Sequence, residues 1–269
     1  SLSAASASAR LAKFEETVGF RVFNRTTRAV SLTTDGAALQ PYVQQMIETW
    51  EAGLGTVSGR GENAQGLLRM TMPGSFGRMH IMPLMGEFQV QYPNVTLDLR
   101  LSDEVLDVIE GAYDLIIRNA PLTDSSLVAR KLATDRRLLV ASSAYVKKYG
   151  VPSGPEELKH HQCVVFPGRN QWRFESGQSI APPRSFVVND GEAMRFMIEQ
   201  GMGIGMKSLW NASESLNSGK LVEVLADFGF ITESAIWAVY PSGRIVAPKV
   251  RAMIDFLVAH FSPQPPWER

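Results

Sequence analysis

"LSAASASARLAKFEETVGFRVFNRTTRAVSLTTDG", from Leu2 to Gly36, joins a helix to a basic ribbon. Ser3 is a good N-cap, and Leu11, Phe14 and Val18 fall three and four residues apart on one face. This predicts a helix over 3–18, with Gly19 placed to end it. Val22, Phe23, Val30 and Leu32 then flank a polar turn of Asn, Thr and Arg, the pattern of a short β-ribbon. Ser3, Ser6, Ser8 and Arg10 suit close approach to a major groove, with Lys13 toward phosphate. Arg25 and Arg28 at the ribbon tip are placed for phosphates or a minor groove. Composition alone favours a solvated surface helix, so the adjoining ribbon carries much of that reading.

Charge follows the same division. The 269 residues balance 27 Lys+Arg against 27 Asp+Glu, which taken whole argues against a nucleic-acid partner. Residues 1–28 carry +3, falling to +2 at Gly36, so the rest of the chain is a mildly acidic body of −2. From Thr34 to about Ser58 a second helix is expected, kinked by Pro41. Its Leu39, Val43, Met46, Trp50, Leu54 and Val57 keep the three-and-four rhythm of a coiled-coil seam. Residues 59–66, "GRGENAQG", form a linker. The single Cys163 excludes an internal disulfide, and no apolar run reaches the ~18–20 residues of a membrane helix. No secretory leader is apparent, so a cytoplasmic location is expected; without an initiator Met, the chain reads as starting mid-element or trimmed.

Beyond the linker the pattern is α/β. Strands are expected at 67–72, 95–101 and 113–118, with helices at 78–91 and 103–111 between them, and such β-α-β steps imply a parallel sheet. A second cycle places strands at 137–141, 163–166, 186–188, 203–206 and 235–240, and helices at 143–149, 192–200 and 248–261. The irregular stretch from Pro152 to Pro183 favours two subdomains over one large sheet.

The first third resembles the LysR-type transcriptional regulators. That family's winged helix-turn-helix ends in a recognition helix of the form L-S-x-S-A-V-S-x-x-I-x-x-L-E, followed by L-G-x-x-L-F-x-R-T-x-R and L-T-x-A-G. Leu2, Ser3, Ser8, Glu15, Gly19 and Phe23 fall on matching positions, as do Asn24, Arg25, Thr26, Arg28, Leu32, Thr33 and Gly36. "DLIIR", "WRF", "VVNDGEAMRFMIEQGMGIGM" and "AVYPSGRIVAPKVRAMIDFL" extend the resemblance to the C-terminus, toward the subgroup of D-malate-degradation regulators. It implies a partial winged helix-turn-helix over 1–34, a dimerisation linker helix over 35–62 and an effector-binding domain over 63–269. That domain would hold subdomain I at about 67–136 and 241–261 and subdomain II at about 137–240, together resembling a type 2 periplasmic binding protein. The implied partners are double-stranded DNA when the missing N-terminal residues are present, a small effector, and further copies as a homodimer extending to a homotetramer. The chain departs from the family in lacking roughly two dozen N-terminal residues and in carrying Ala9 where a polar or basic residue is usual.

Other chemistries fit less well. "PGSFG" approaches a nucleophile elbow, but Pro73 stands where the strained turn needs Gly, so a serine hydrolase using Ser75 is the third choice. A solute-binding protein without a DNA function is the second, which the basic N-terminal segment opposes. In "GMGIGMKS", Met206 stands where a phosphate loop needs Gly. His160, His161 and Cys163 lack the spacing of a metal or thiol-catalytic site, so no metal, cofactor or enzymatic activity is expected. Ligands of open α/β sheets bind at the carboxyl ends of strands. Those ends present Ser75, Phe76, Ser102 and Arg118 on the first subdomain and Phe166, Asn189 and Asp190 on the second, a set that favours a small carboxylate.

Overall fold

A computed structural model of the chain describes residues 4–25, 30–58, 64–103, 113–120, 127–168, 171–232, 234–241 and 246–269. The chain divides into two compact units, one of Ser1–Arg60 with Arg244–Ala247, the other of Gly61–Gly243 with Pro248–Arg269.

In the first unit, α1 (Ala4–Val18) ends where Gly19 turns at φ +82°, a conformation that costs glycine little. β1 (Phe23–Arg25) pairs antiparallel with β2 (Val30–Leu32) to form the ribbon. Glu15 on α1 fastens that ribbon, its Oε1 accepting from the backbone N–H groups of Val22 at 2.8 Å and Phe23 at 3.2 Å. The Thr33 hydroxyl donates to Arg21 O and accepts from Gly36 N, locking the ribbon to α2 (Thr34–Ser58). α2 runs through Pro41 as one helix. On it Val43, Met46 and Trp50, three residues of the apolar seam, are exposed.

The second unit contains two five-stranded sheets. Sheet I has the order β4-β3-β5-β14-β6, from β3 (Gly66–Met72), β4 (Val95–Leu101), β5 (Leu115–Ala120), β6 (Leu127–Thr134) and β14 (Ala235–Pro241). Sheet II has the order β11-β8-β12-β7-β13, from β7 (Arg137–Ser142), β8 (Cys163–Val165), β11 (Phe186–Val187), β12 (Ile204–Ser208) and β13 (Leu221–Val224). β9 (Trp172–Arg173) and β10 (Ser179–Ile180) form a separate hairpin. β7, "RLLVAS", shows why sheet II is stable. Leu139 and Ala141 enter one core with Trp172 and Phe174, while Leu138 and Val140 enter the other with Met194 and Ile198, as alternation on a two-sided strand requires.

Both sheets are mixed, which corrects the expectation of parallel order. β3 is parallel to β4 and β5, but β14 is antiparallel to β5 and β6, and β7 is antiparallel to β12 and β13. The reason is two crossings between the sheets, one at Asp135 and Arg136 and a return between β13 and β14. β14 therefore lies in sheet I, so the return falls before residue 235 rather than at 241.

The single helix expected over 78–91 is broken into α3 (Gly74–Phe76), a π-helical turn (Gly77–Ile81), a 3₁₀ turn (Met82–Leu84) and α4 (Met85–Gln91). Pro83 has no N–H to give to the preceding turn, and the ladder changes pitch around it. α8 (Pro248–Phe261) packs against sheet I, with Phe256 edge-on to Phe88 at 5.2 Å. α5 (Ser143–Tyr149), α6 (Gly191–Glu199) and α7 (Leu209–Asn217) complete the second subdomain. The expected helix over 103–111 lies almost wholly outside the described residues.

Candidate functional site

Between the two sheets lies a cavity of about 330 Å³, large enough for a small organic molecule. Strand ends build it. β3 delivers Ser75, β4 Ser102 and Asp103, β5 Arg118 and Asn119, β8 Val165 and Phe166, and β12 Lys207 and Ser208.

Ser75 is only 3% exposed, yet its hydroxyl has no hydrogen-bond partner, an arrangement that costs stability unless something completes it. It faces the start of α6 across the cleft, where a methyl added at Gly191 would stand 3.0 Å from Ser75 Oγ and 3.9 Å from Lys207 Nζ. The buried Lys207 ammonium donates to Gly191 O at 2.5 Å. Hydroxyl, ammonium and helix start therefore converge from both subdomains on one spot.

A polar chain crosses the hinge behind them. Asp135 is fully buried and pairs with Arg137 Nε at 2.6 Å. With its amide oriented to match its neighbours, Asn119 donates to Asp135 Oδ2 at 2.9 Å and accepts from Trp210 Nε1 at 3.2 Å. Trp210 in turn stacks edge-on to Phe76 at 5.2 Å, and its carbonyl meets His80 Nε2 at 2.9 Å. Burial pushes the His80 pKa below its usual value, opposed by that hydrogen bond. At the cleft mouth Arg78 reaches Glu192 at 2.7 Å and Asp190 at 4.0 Å. Both partners are nearly half exposed, so this clasp contributes at most ~1 kcal/mol.

Of the effector residues expected from the sequence, Ser75, Ser102, Arg118 and Phe166 line the cavity, whereas Phe76, Asn189 and Asp190 do not. Phe76 is fully buried among Trp210, Phe261 and Trp267. Asp190 is the N-cap of α6, its carboxylate taken by the N–H groups of Glu192 and Ala193. Asn189 is exposed outside the cavity. Lys207, Ser208, Arg137, Trp172, Trp210 and Asn211 also line it and were not foreseen. The strand-end rule would have found Lys207 and Ser208 had β12 not been expected to stop at Met206, two residues short. Trp210 and Asn211 sit on α7, a short polar helix with little sequence signal. On α1, Ser8, Arg10 and Lys13 are exposed and Ser6 is partly so, while Ser3, Arg28 and the Arg25 side chain lie outside the described residues.

Among the described residues no group of three or more His, Cys, Asp or Glu could hold a metal. Cys163 is buried at the start of β8 in sheet II, and burial pushes its thiol up from the ordinary 9.0 to about 12. Because the folded value is the higher one, the share of stability carried by the neutral thiol is complete below pH 9 and is lost as pH rises toward 12. The native chain should accordingly resist a disulfide thiol reagent at pH 8 and release one equivalent only on unfolding in urea. Rapid native reaction would contradict this burial.

Comparison with known proteins places this architecture. Residues 61–262 match the family model described as "LysR substrate binding domain". An HTH-type transcriptional regulator of Xanthomonas campestris pv. campestris (strain 8004) is 35% identical over 268 residues, 95% of this chain and 77% of the relative. The HTH-type transcriptional regulator DmlR of Escherichia coli (strain K12) is 30% identical over 268 residues, covering 97% and 87%. The solved structure of CrgA, a LysR-type transcriptional regulator from Neisseria meningitidis, matches with a TM-score of 0.69 at 30% identity, over 96% of this chain and 90% of that one. The chain belongs to the LysR family of transcriptional regulators and carries that family's effector-binding domain. The relatives are transcriptional regulators rather than enzymes, and among the described residues no imidazole is hydrogen-bonded to the Ser75 hydroxyl. Among the described residues, no helix is long and apolar enough to cross a membrane.

Proposed function

We propose that this cytoplasmic regulator binds a small carboxylate between its two subdomains and that cleft closure alters how paired DNA-binding units meet their half-sites. The observation that carries the proposal is the Ser75 hydroxyl, buried without a partner beside the Lys207 ammonium at the junction of the subdomains. Arg118 on the opposite strand end adds positive charge to the same cavity. For DNA, Ser6, Arg10 and Lys13 recur at helical spacing on α1, and Ser3 and Ser8 belong to the same approach, with Arg25 and Arg28 on the wing. The exposed seam of Val43, Met46 and Trp50 fits a homodimer through α2, with a homotetramer as the further assembly.

Mobility shifts of the natural full-length protein, measured across salt concentrations, test the DNA half of this reading. Affinity should fall linearly on logarithmic axes, and Lys13→Ala should lower the slope by about one while leaving sequence preference unchanged. Salt-independent binding, or none, contradicts it.

A further inference from the structure

We propose that Trp267 is a positioning residue of the cleft: wedged behind its two walls, it fixes the separation of the subdomains that an effector must alter. This goes beyond the carboxylate reading, since it holds for any small molecule the cleft admits, and rests only on the cleft as the effector site.

The segment that carries Trp267 is "SPQPPWER", Ser262–Arg269, directly after α8. Pro263, Pro265 and Pro266 restrict its backbone, so holding it in one course costs less entropy than holding an ordinary segment. It also closes on itself. Gln264 O accepts from Arg269 Nε at 3.2 Å and Nη2 at 3.1 Å, and Gln264 Nε2 donates to Glu268 O. A 3₁₀ turn (Pro266–Glu268) then presents Trp267, which is 6% exposed.

What the indole touches decides its role. On subdomain I it packs on the His80 ring at 4.5 Å, on Phe261 at 5.3 Å and edge-on to Phe76 at 5.8 Å. The same 3₁₀ turn packs against α7 of subdomain II. α7 in turn sends Trp210 onto Phe76 at 5.2 Å and onto His80 at 5.8 Å, and Asn211 Nδ2 meets Met79 Sδ at 3.6 Å. Phe76 and His80 thus contact two indoles, Trp210 from subdomain II and Trp267 from the segment after α8. These same segments build the cavity, through Ser75 beside Phe76 and through Trp210 and Asn211 themselves.

Two chain crossings leave a pair of subdomains free to swing unless an apolar interface opposes the motion. The Arg78 clasp to Asp190 and Glu192 is too exposed to do so. The buried aromatic cluster supplies that interface, and Trp267 joins its subdomain I rings to α7 from outside the cavity.

Thiol trapping in the full chain tests this. With Ser75→Cys and Gly191→Cys in place, equilibrium with reduced and oxidised glutathione gives the effective concentration of one thiol at the other, a property of the folded cleft. Small misplacements weaken such close approaches steeply, so Trp267→Ala should lower the effective concentration about tenfold. Trp267→Phe keeps a ring and should lower it about threefold, which preserves the test where Trp267→Ala does not fold. Leu158→Ala, a truncation in the core of sheet II, should lower the melting temperature and leave the effective concentration as it was. An effective concentration unchanged by either Trp267 variant, or lowered as much by Leu158→Ala, overturns the inference and leaves the carboxylate reading intact. If trapping weakens as expected while the operator affinity of Trp267→Ala matches that of the parent, the positioning role stands and control of DNA binding by closure falls.

Discussion

Gly36→Ala should uncouple the DNA-binding unit from its helix, lowering DNA affinity at least tenfold while the effector-binding unit melts as before. The added methyl would stand 2.0 Å from the carbonyl oxygen of Val22 and 3.0 Å from its Cα, and these are backbone atoms that no rotamer change can move aside. That carbonyl also accepts from Thr33 N at 3.0 Å, so yielding would break the lock between ribbon and α2. Overpacking of this kind costs about 3 kcal/mol, the upper end of its usual range. Gly53→Ala is the matched control. It lies in the same helix with nothing within 4 Å of the new methyl, and should be neutral or stabilising. Equal behaviour of the two variants in mobility shift and calorimetry would refute the close approach.

Asp135→Ala should be the most damaging substitution in the effector-binding unit, at about 3–5 kcal/mol, because it leaves Arg137 charged and largely buried without its partner. For a domain of this size the melting temperature should drop by about 10 °C. The double replacement Asp135→Leu with Arg137→Met should recover most of the loss, since apolar side chains of similar volume often replace a buried pair without penalty. A double variant as unstable as the single one would show that the cost lies in the Asn119 bond, not in the stranded charge.

The helix over 4–18 was legible because its local signals agreed: the three-and-four spacing of Leu11, Phe14 and Val18 and the C-terminal Gly19 name the same element, while the expected cap Ser3 lies outside the described residues. α8 was equally plain, its apolar stripe matching Pro248–Phe261 at both ends. β6 escaped notice because "LVARKLAT" alternates weakly and carries two cations. Without β6 one of the two antiparallel partners of β14 was missing, and periodicity, which locates strands but not their directions, left β14 against β5 and β7 against β12 unrecognised as antiparallel. In the cleft, Ser75, Ser102, Arg118 and Phe166 follow from strand ends that periodicity locates. Arg137 does not, since it lies at the start of a strand and reaches the cavity only because the chain changes sheets at Asp135 and Arg136.

Control of DNA binding by cleft closure can be tested without knowing the effector. A methyl built on Gly191 lies 3.7 Å from Ser75 Cβ, close to the mean separation of disulfide-linked Cβ atoms. The only native thiol, Cys163, is buried and held protonated. Ser75→Cys with Gly191→Cys should therefore lock the two subdomains together on oxidation and free them on reduction. Operator affinity of the full-length protein, measured in both states, should differ severalfold and revert with reductant; identical affinity in the locked and unlocked states would contradict the account.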